Sequence, residues 1–222
     1  MFGNTTAAVK QCTEQIGAHG RFEPVVFHAT GAGGKTMEAL VRQGRIAGVI
    51  DMTTTELADE LAGGVLSAGP DRLTAAGEKG VPQVVVPGCV DMVNFWSVDT
   101  VPSRYRHRHL YSWNPNVTLM RTTKDENWKI GKIIAEKVNS AKGPSAVFLP
   151  LRGVSLLDSE GGEFWDPEAD AALFDALRRF LSPGIDLYEL SYNINDREFA
   201  DAAADAFLRA MEEHYHAIYQ SE

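Results

Sequence analysis

Basic residues are scarce in this chain. Its 222 residues carry 21 Lys and Arg against 30 Asp and Glu, a formal net charge of -9. That balance excludes non-specific binding to nucleic acid or to an anionic membrane surface, because both attract basic faces. Cysteine is scarcer still. Cys12 and Cys89 are too few for a disulfide scaffold and sit at no metal-type spacing. No apolar run approaches the ~20 residues of a membrane span. The start, Met-Phe-Gly-Asn-Thr-Thr, lacks the basic-then-apolar pattern of a signal peptide. The expected location is the cytoplasm. G-x-S-x-G, H-E-x-x-H and C-x-x-C motifs are missing, as are internal repeats and linkers, so no nucleophile is fixed. What remains, 44% hydrophobic and 23% charged, is the composition of a folded domain.

Short apolar runs alternate with segments of helical period. Pro24–Phe27, Ala47–Ile50, Gln83–Pro87, Ser145–Leu149 and Ile185–Leu190 read as strands that are apolar throughout. Helical stripes separate them: Val9, Cys12 and Ile16; Met37, Leu40 and Val41; Leu57, Ala58 and Leu61; Ile130 to Val138 in a helix from about Asp125; Leu173, Leu177 and Phe180 after the N-cap Asp166 and Pro167; and Phe199 to Met211. A further helix is expected after Asp71. Thr53 with Glu56, and Asn195 with Glu198, read as capping boxes. Gly88 to Asn116 reads as a mostly irregular loop, a length that marks function or an interface. Strands buried on both faces and separated by helices imply one doubly wound, mostly parallel, Rossmann-like α/β domain of about five or six strands. It is expected to span residues 1–213, with a tail at 214–222.

Ligands in such sheets bind at the C-terminal ends of the strands, and four polar clusters fall there. Gly31, Gly33 and Gly34 precede a helix, where backbone N–H groups and the helix dipole suit an anion, with Lys35 adding charge and Thr36 a hydroxyl. The run ends like a phosphate loop, but Ala29 stands where that pattern requires its first glycine. The bland alternative is an ordinary glycine turn. Asp51 and Thr54 follow the second strand, where Asp51 suits a ribose hydroxyl or magnesium; the rival reading is the Thr53–Glu56 cap. Asp91 and the Arg104–His109 run follow the third, with His107 beside basic and aromatic neighbours that suit an anion, single-stranded nucleic acid or a subunit contact. His107 and His109 have no third ligand at a zinc-type spacing, and no metal site is assigned from the residues. Arg152 follows the fourth strand, able to chelate a phosphate or to pair with the acidic Asp158–Glu163 loop, itself a possible lid. His28, Asp91 and His107 are the candidate acid/base groups.

Several polar runs carry a resemblance: Val26–Gly31, Asp51–Leu57, Gly63–Leu73, Asn114–Thr122, Pro150–Ser155 and Asp166–Asp170. Together they resemble the ATP-binding family of the plant tomato mosaic virus resistance protein and its bacterial homologues. The similarity covers the chain to about Met211 and only the second, C-terminal half of the family's two-part architecture. It implies a Rossmann-like domain, self-association into a dimer or other homo-oligomer, a missing N-terminal family domain, and ATP or a related nucleotide as ligand. It implies no particular reaction. The leading expectation is therefore a domain that binds a nucleotide or a small phosphorylated metabolite. The rivals are a hydrolase or lyase acting on a small phosphorylated or carboxylated metabolite, and an oligomerisation module. The start at Met1 is expected to fall at the first strand-to-helix junction of that half, with the strand's outer residues missing.

Overall fold

A computed structural model describes residues 1–219. Met1 and Phe2 lead through a single 3-10 turn at Gly3–Thr5 into helix α1 (Thr6–His19), which Gly20 ends at φ 76°. Helix α2 (Ala32–Arg42) follows a glycine turn. Strand β1 (Val49–Asp51), helices α3 (Thr55–Ala62) and α4 (Ala75–Lys79) and strand β2 (Gln83–Val85) come next. An antiparallel excursion contains β3 (Met92–Phe95), β4 (Leu110–Asn114) and β5 (Val117–Arg121). Helix α5 (Lys124–Asn139), strand β6 (Ser145–Pro150), helix α6 (Pro167–Phe180), strand β7 (Asp186–Leu190) and helix α7 (Arg197–Tyr219) complete the order.

The main sheet is parallel throughout, in the order β1-β2-β6-β7. Alternation along its central strands divides the core. Val85, Val147 and Leu149 face Ile130 and Ile134 of α5 and Leu173 and Leu177 of α6. Val84, Val86 and Phe148 face Ala8, Cys12 and Ile16 of α1 and Phe199, Ala203 and Phe207 of α7. Helices therefore cover both faces, as the uninterrupted apolar strands require. Among the described residues, no helix is long and apolar enough to cross a membrane.

Most elements fall where periodicity puts them, and the differences are instructive. Four strands form in the main sheet instead of five or six. Pro24–Phe27 forms no strand and joins no ladder, and its Val25 and Val26 are 67% and 42% exposed. Gly88–Asn116 is irregular over most of its length, as expected, but not throughout. It holds β3 and β4, and β5 lies between them in the second sheet. Neither expected capping box forms. Thr53 Oγ1 lies 2.8 Å from Thr5 Oγ1, and the Glu56 carboxylate leaves its own helix. Asn195 turns towards α1, where its amide donates to Asn4 O at 2.9 Å. The expected N-cap at Asp166 does form, and a capping box that was not expected forms at Thr123, each side chain accepting from a backbone N–H in the first turn. Helix α7 extends through the expected tail as far as Tyr219; residues 220–222 lie outside the described part.

Candidate functional site

The glycine turn before α2 is shaped by close approaches. Gly31 sits at φ 79°, a left-handed conformation costly for other residues, and a Cβ there would meet Ser67 O at 2.8 Å. A Cβ on Gly33 would collide with the His28 carbonyl oxygen, and one on Gly34 would land on the Glu56 carboxylate. The turn aims amides inward: Gly31 N–H and Gly34 N–H both donate to Glu56 Oε1, at 2.7 and 3.2 Å. The N-terminus of α2 thus holds a carboxylate already, supplied by α3. Lys35 and Thr36 stand on the exposed side of the same turn, and Thr36 Oγ1 donates back to Ala32 O.

Behind Glu56 lies a guanidinium that sequence reasoning missed. Arg72, 2% exposed, donates through Nε to Glu56 Oε2 at 2.5 Å and through both terminal nitrogens to Asp51, with Nη2 to Oδ1 at 2.6 Å. Its Nη1 also reaches Glu38 Oε1 at 3.3 Å. Glu38 in turn accepts from the backbone N–H groups of Leu73 and Ala75 at 2.6 and 2.8 Å, so a second internal carboxylate fills the start of α4. Three carboxylates surround one cation. Burial disfavours the charged guanidinium, but Asp51 and Glu56 outweigh it and hold its pKa above the ordinary value. Burial likewise pushes the Glu56 carboxyl up, against the pull of Arg72. Asp51 is therefore an ion-pair partner at the end of β1, and Thr54 donates its hydroxyl to Val86 O.

The remaining predicted residues lie apart from one another. His28 and His107 are exposed, one beside the N-terminus and one on the antiparallel excursion. Asp91 is fully buried. It accepts from Ser155 Oγ at 2.8 Å, and its Oδ1 has no protein partner. Burial and the neighbouring Asp158 push its carboxyl up. Asp158 and Asp170 pair with buried Arg121, at 3.5 and 2.8 Å. The acidic loop is packed down by this cluster, with Phe164 buried and its carbonyl accepting from Arg121 Nε. Arg152 is exposed at the loop's edge, 3.6 Å from Glu160. Lys35 lies in the first turn of α2, and Arg152 follows β6. Both thiols are buried, and burial pushes Cys12 up to about 12 and Cys89 well above its ordinary value.

Arg72 left one trace in the sequence. It is the single basic residue in the glycine-rich run Gly63–Leu73, between Pro70-Asp71 and an apolar residue. A lone charge entering a helix-rich core calls for buried partners. Glu38 and Arg121 left no such trace, because each reads as an ordinary helix or strand polar position.

The chain has clear relatives. A family model described as the C-terminal domain of an uncharacterised protein family (UPF0261) matches residues 1–211. The chain is 53% identical over 213 residues to a UPF0261 protein of Clostridium tetani, covering 96% of this chain and 52% of that protein. It is 49% identical over 210 residues to a UPF0261 protein of Mesorhizobium japonicum, covering 94% of this chain and 52% of the relative. It is 44% identical over 222 residues to the ToMV resistance protein Tm-1(GCR237) of Solanum lycopersicum, covering 99% of this chain and 29% of that protein. The chain thus spans about half the length of the bacterial relatives it matches, and less of the plant one.

Proposed function

The chain belongs to the UPF0261 C-terminal domain family, and from that premise and the geometry of the glycine turn we propose that it binds a small anion of the nucleotide or phosphometabolite class. One observation carries the reading: the Gly31 and Gly34 amides converge on a single anionic oxygen at the N-terminus of α2. Two main-chain donors at a helix start are the arrangement that receives phosphate. In this reading Glu56 is a place-holder that yields to a ligand, and exposed Lys35 supplies charge. Asp51, two bonds away through Arg72, orients a ribose hydroxyl or a magnesium ion once the network opens. The other half of the longer protein supplies the remaining contacts.

Calorimetric titration with Mg-ATP and with inorganic phosphate tests this. Glu56→Gln keeps the side chain's shape and removes the competing charge, so it should bind the anion about tenfold more tightly, or ~1.4 kcal/mol. No heat at millimolar ligand in either protein rejects the proposal. The hydrolase or lyase alternative lacks comparable support, because Asp91 is fully buried while His28 and His107 are exposed.

A second reading, self-association, is favoured by the antiparallel excursion. It exposes Trp96 and Trp113, at 53% and 42%, beside Val98, and exposed aromatic clusters mark interfaces. Light scattering across a dilution series should show a dimer that Trp96→Ser with Trp113→Ser weakens. A strict monomer at high micromolar concentration counts against it.

A further inference from the structure

The cavity beside β1 has the outline of a missing strand. It measures about 350 Å³ and runs between Phe22–Ala29 on one side and Ile46–Asp51 on the other, roofed by Val9, Cys12 and Ile16 of α1 and by Phe207 and Met211 of α7. Both walls offer unpaired main chain. In the β1–β2 ladder, Val49 N–H donates to Pro82 O, and Asp51 O accepts from Val86 N–H. Alternate residues of a parallel strand address opposite neighbours, so the amide and carbonyl of Ile50 point into the cavity. On the far wall, residues 24–28 belong to no helix and join no ladder.

Met1 sits at the mouth of this gap and pairs with one wall in strand fashion. Its terminal nitrogen donates to Phe27 O at 2.6 Å, and its carbonyl accepts from Ala29 N–H at 2.9 Å. Those two bonds are the pattern of a parallel bridge between Met1 and His28.

We infer that the cavity is the seat of a β-strand of the same polypeptide, joined to the nitrogen of Met1 and running parallel to residues 24–28 and β1. The relatives supply such polypeptide, being about twice the length of this chain, which matches a C-terminal domain. The strand would complete a six-membered parallel sheet in the order 24–28, inserted strand, β1, β2, β6, β7. Val9, Ile16, Phe207 and Met211 line one face and Met37 the other, with Glu56 and Arg72 also lining the cavity, so a mainly β-branched run is the sequence it requires. About five residues, roughly 17 Å, fill the length of the gap. The residues that directly precede Met1 in the longer protein are then part of this domain's central sheet.

The test is an extension of this chain. Five residues, Val-Ile-Val-Ile-Val, are placed before Met1, and a Gly-Ser extension of equal length is the control. The apolar extension should raise the Tm by about 5 °C or more over the control, and should slow amide exchange at Ile50 and Phe27 at least tenfold. Equal Tm and equal exchange in the two proteins overturn the inference. So does protection that disappears on dilution, which assigns the gap to a strand from a second copy. If the apolar extension prevents soluble expression, the same five-residue peptide is added in trans to the unextended chain. Slower exchange confined to Ile50 and the 25–28 amides then supports the inference, and unchanged exchange at saturating peptide overturns it.

Discussion

Arg72 meets Asp51, Glu56 and Glu38 at once, and all four side chains are buried. Removing one partner of a buried ion pair leaves uncompensated charge, which costs about 3–5 kcal/mol. Arg72→Met keeps the volume and leaves three carboxylates facing one another, so a loss at the upper end is expected by urea unfolding. A loss below ~1 kcal/mol would show that the carboxylates simply take up protons. Asp59 lies nearby and behaves differently. It accepts from the Asn94 backbone and side chain and from Leu66 N–H, at 2.6, 2.9 and 3.1 Å. Burial still pushes its carboxyl up to about 7, against those hydrogen bonds. An acid whose folded pKa lies above the unfolded value of ~3.9 binds more protons in the native state. Its contribution to stability is fully present below pH ~4 and is lost as pH rises through about 7. The Asp59 carboxyl carbon should therefore titrate near neutrality by NMR, and a midpoint below pH 5 would contradict this. These residues also show what the chain conceals. Thr53-x-x-Glu56 is locally a good cap. What decides the fate of Glu56 is a glycine turn 22 to 25 residues upstream, a distance no local pattern spans.

Elements whose stability is local were legible, and elements whose stability depends on a neighbour were not. Helix α5 carries its own start signal. Thr123 Oγ1 accepts from Glu126 N–H at 3.2 Å while the Glu126 carboxylate accepts from Thr123 N–H at 2.7 Å. Thr123→Ala should cost about 1 kcal/mol, read as a lower urea midpoint at constant m. An unchanged midpoint would mean that Arg108, which also grips Glu126, fixes the helix start alone. Strands β2 and β6 announce themselves by apolar runs because helices bury both of their faces. Pro24–Phe27 has the same run and forms no ladder, since a strand also needs a partner of matching register. The reverse holds for β3–β5. Met92-Val93-Asn94-Phe95 mixes polar and apolar residues because its ladder packs against α3, where Asp59 takes the Asn94 amide. A period test misses such a strand. The edge of the site was legible to the same degree: glycine turn and strand end were found, their internal ligands were not.

At the scale of the whole molecule, stability is unevenly spread. Helices α5 and α6 clasp each other and lie on β2 and β6 over the larger apolar cluster, which contains most of the fully buried Ile and Leu side chains. The opposite margin is looser. Residues 21–28 bridge α1 to the glycine turn with exposed Val25 and Val26, and a cavity separates them from β1. Helix α1 is anchored elsewhere, to α7, through Gln11 and Asp201 at 2.7 Å and Gln15 and Asp205 at 2.5 Å. Regions with few buried apolar contacts open at low free energy, while the core opens only on global unfolding. Native-state hydrogen exchange should accordingly resolve at least two tiers. Amides of β2, β6, α5 and α6 should exchange only through global opening, with a denaturant dependence equal to that of unfolding. Amides of residues 24–28 and Ile50 should exchange orders of magnitude faster and show almost no denaturant dependence. Protection of residues 24–28 equal to that of β6 would mean that the cavity margin shares the global transition. The chain would then need nothing beyond its own residues to hold that margin closed, and the uneven ladder would be a rigid feature of the fold, not a place left for another strand.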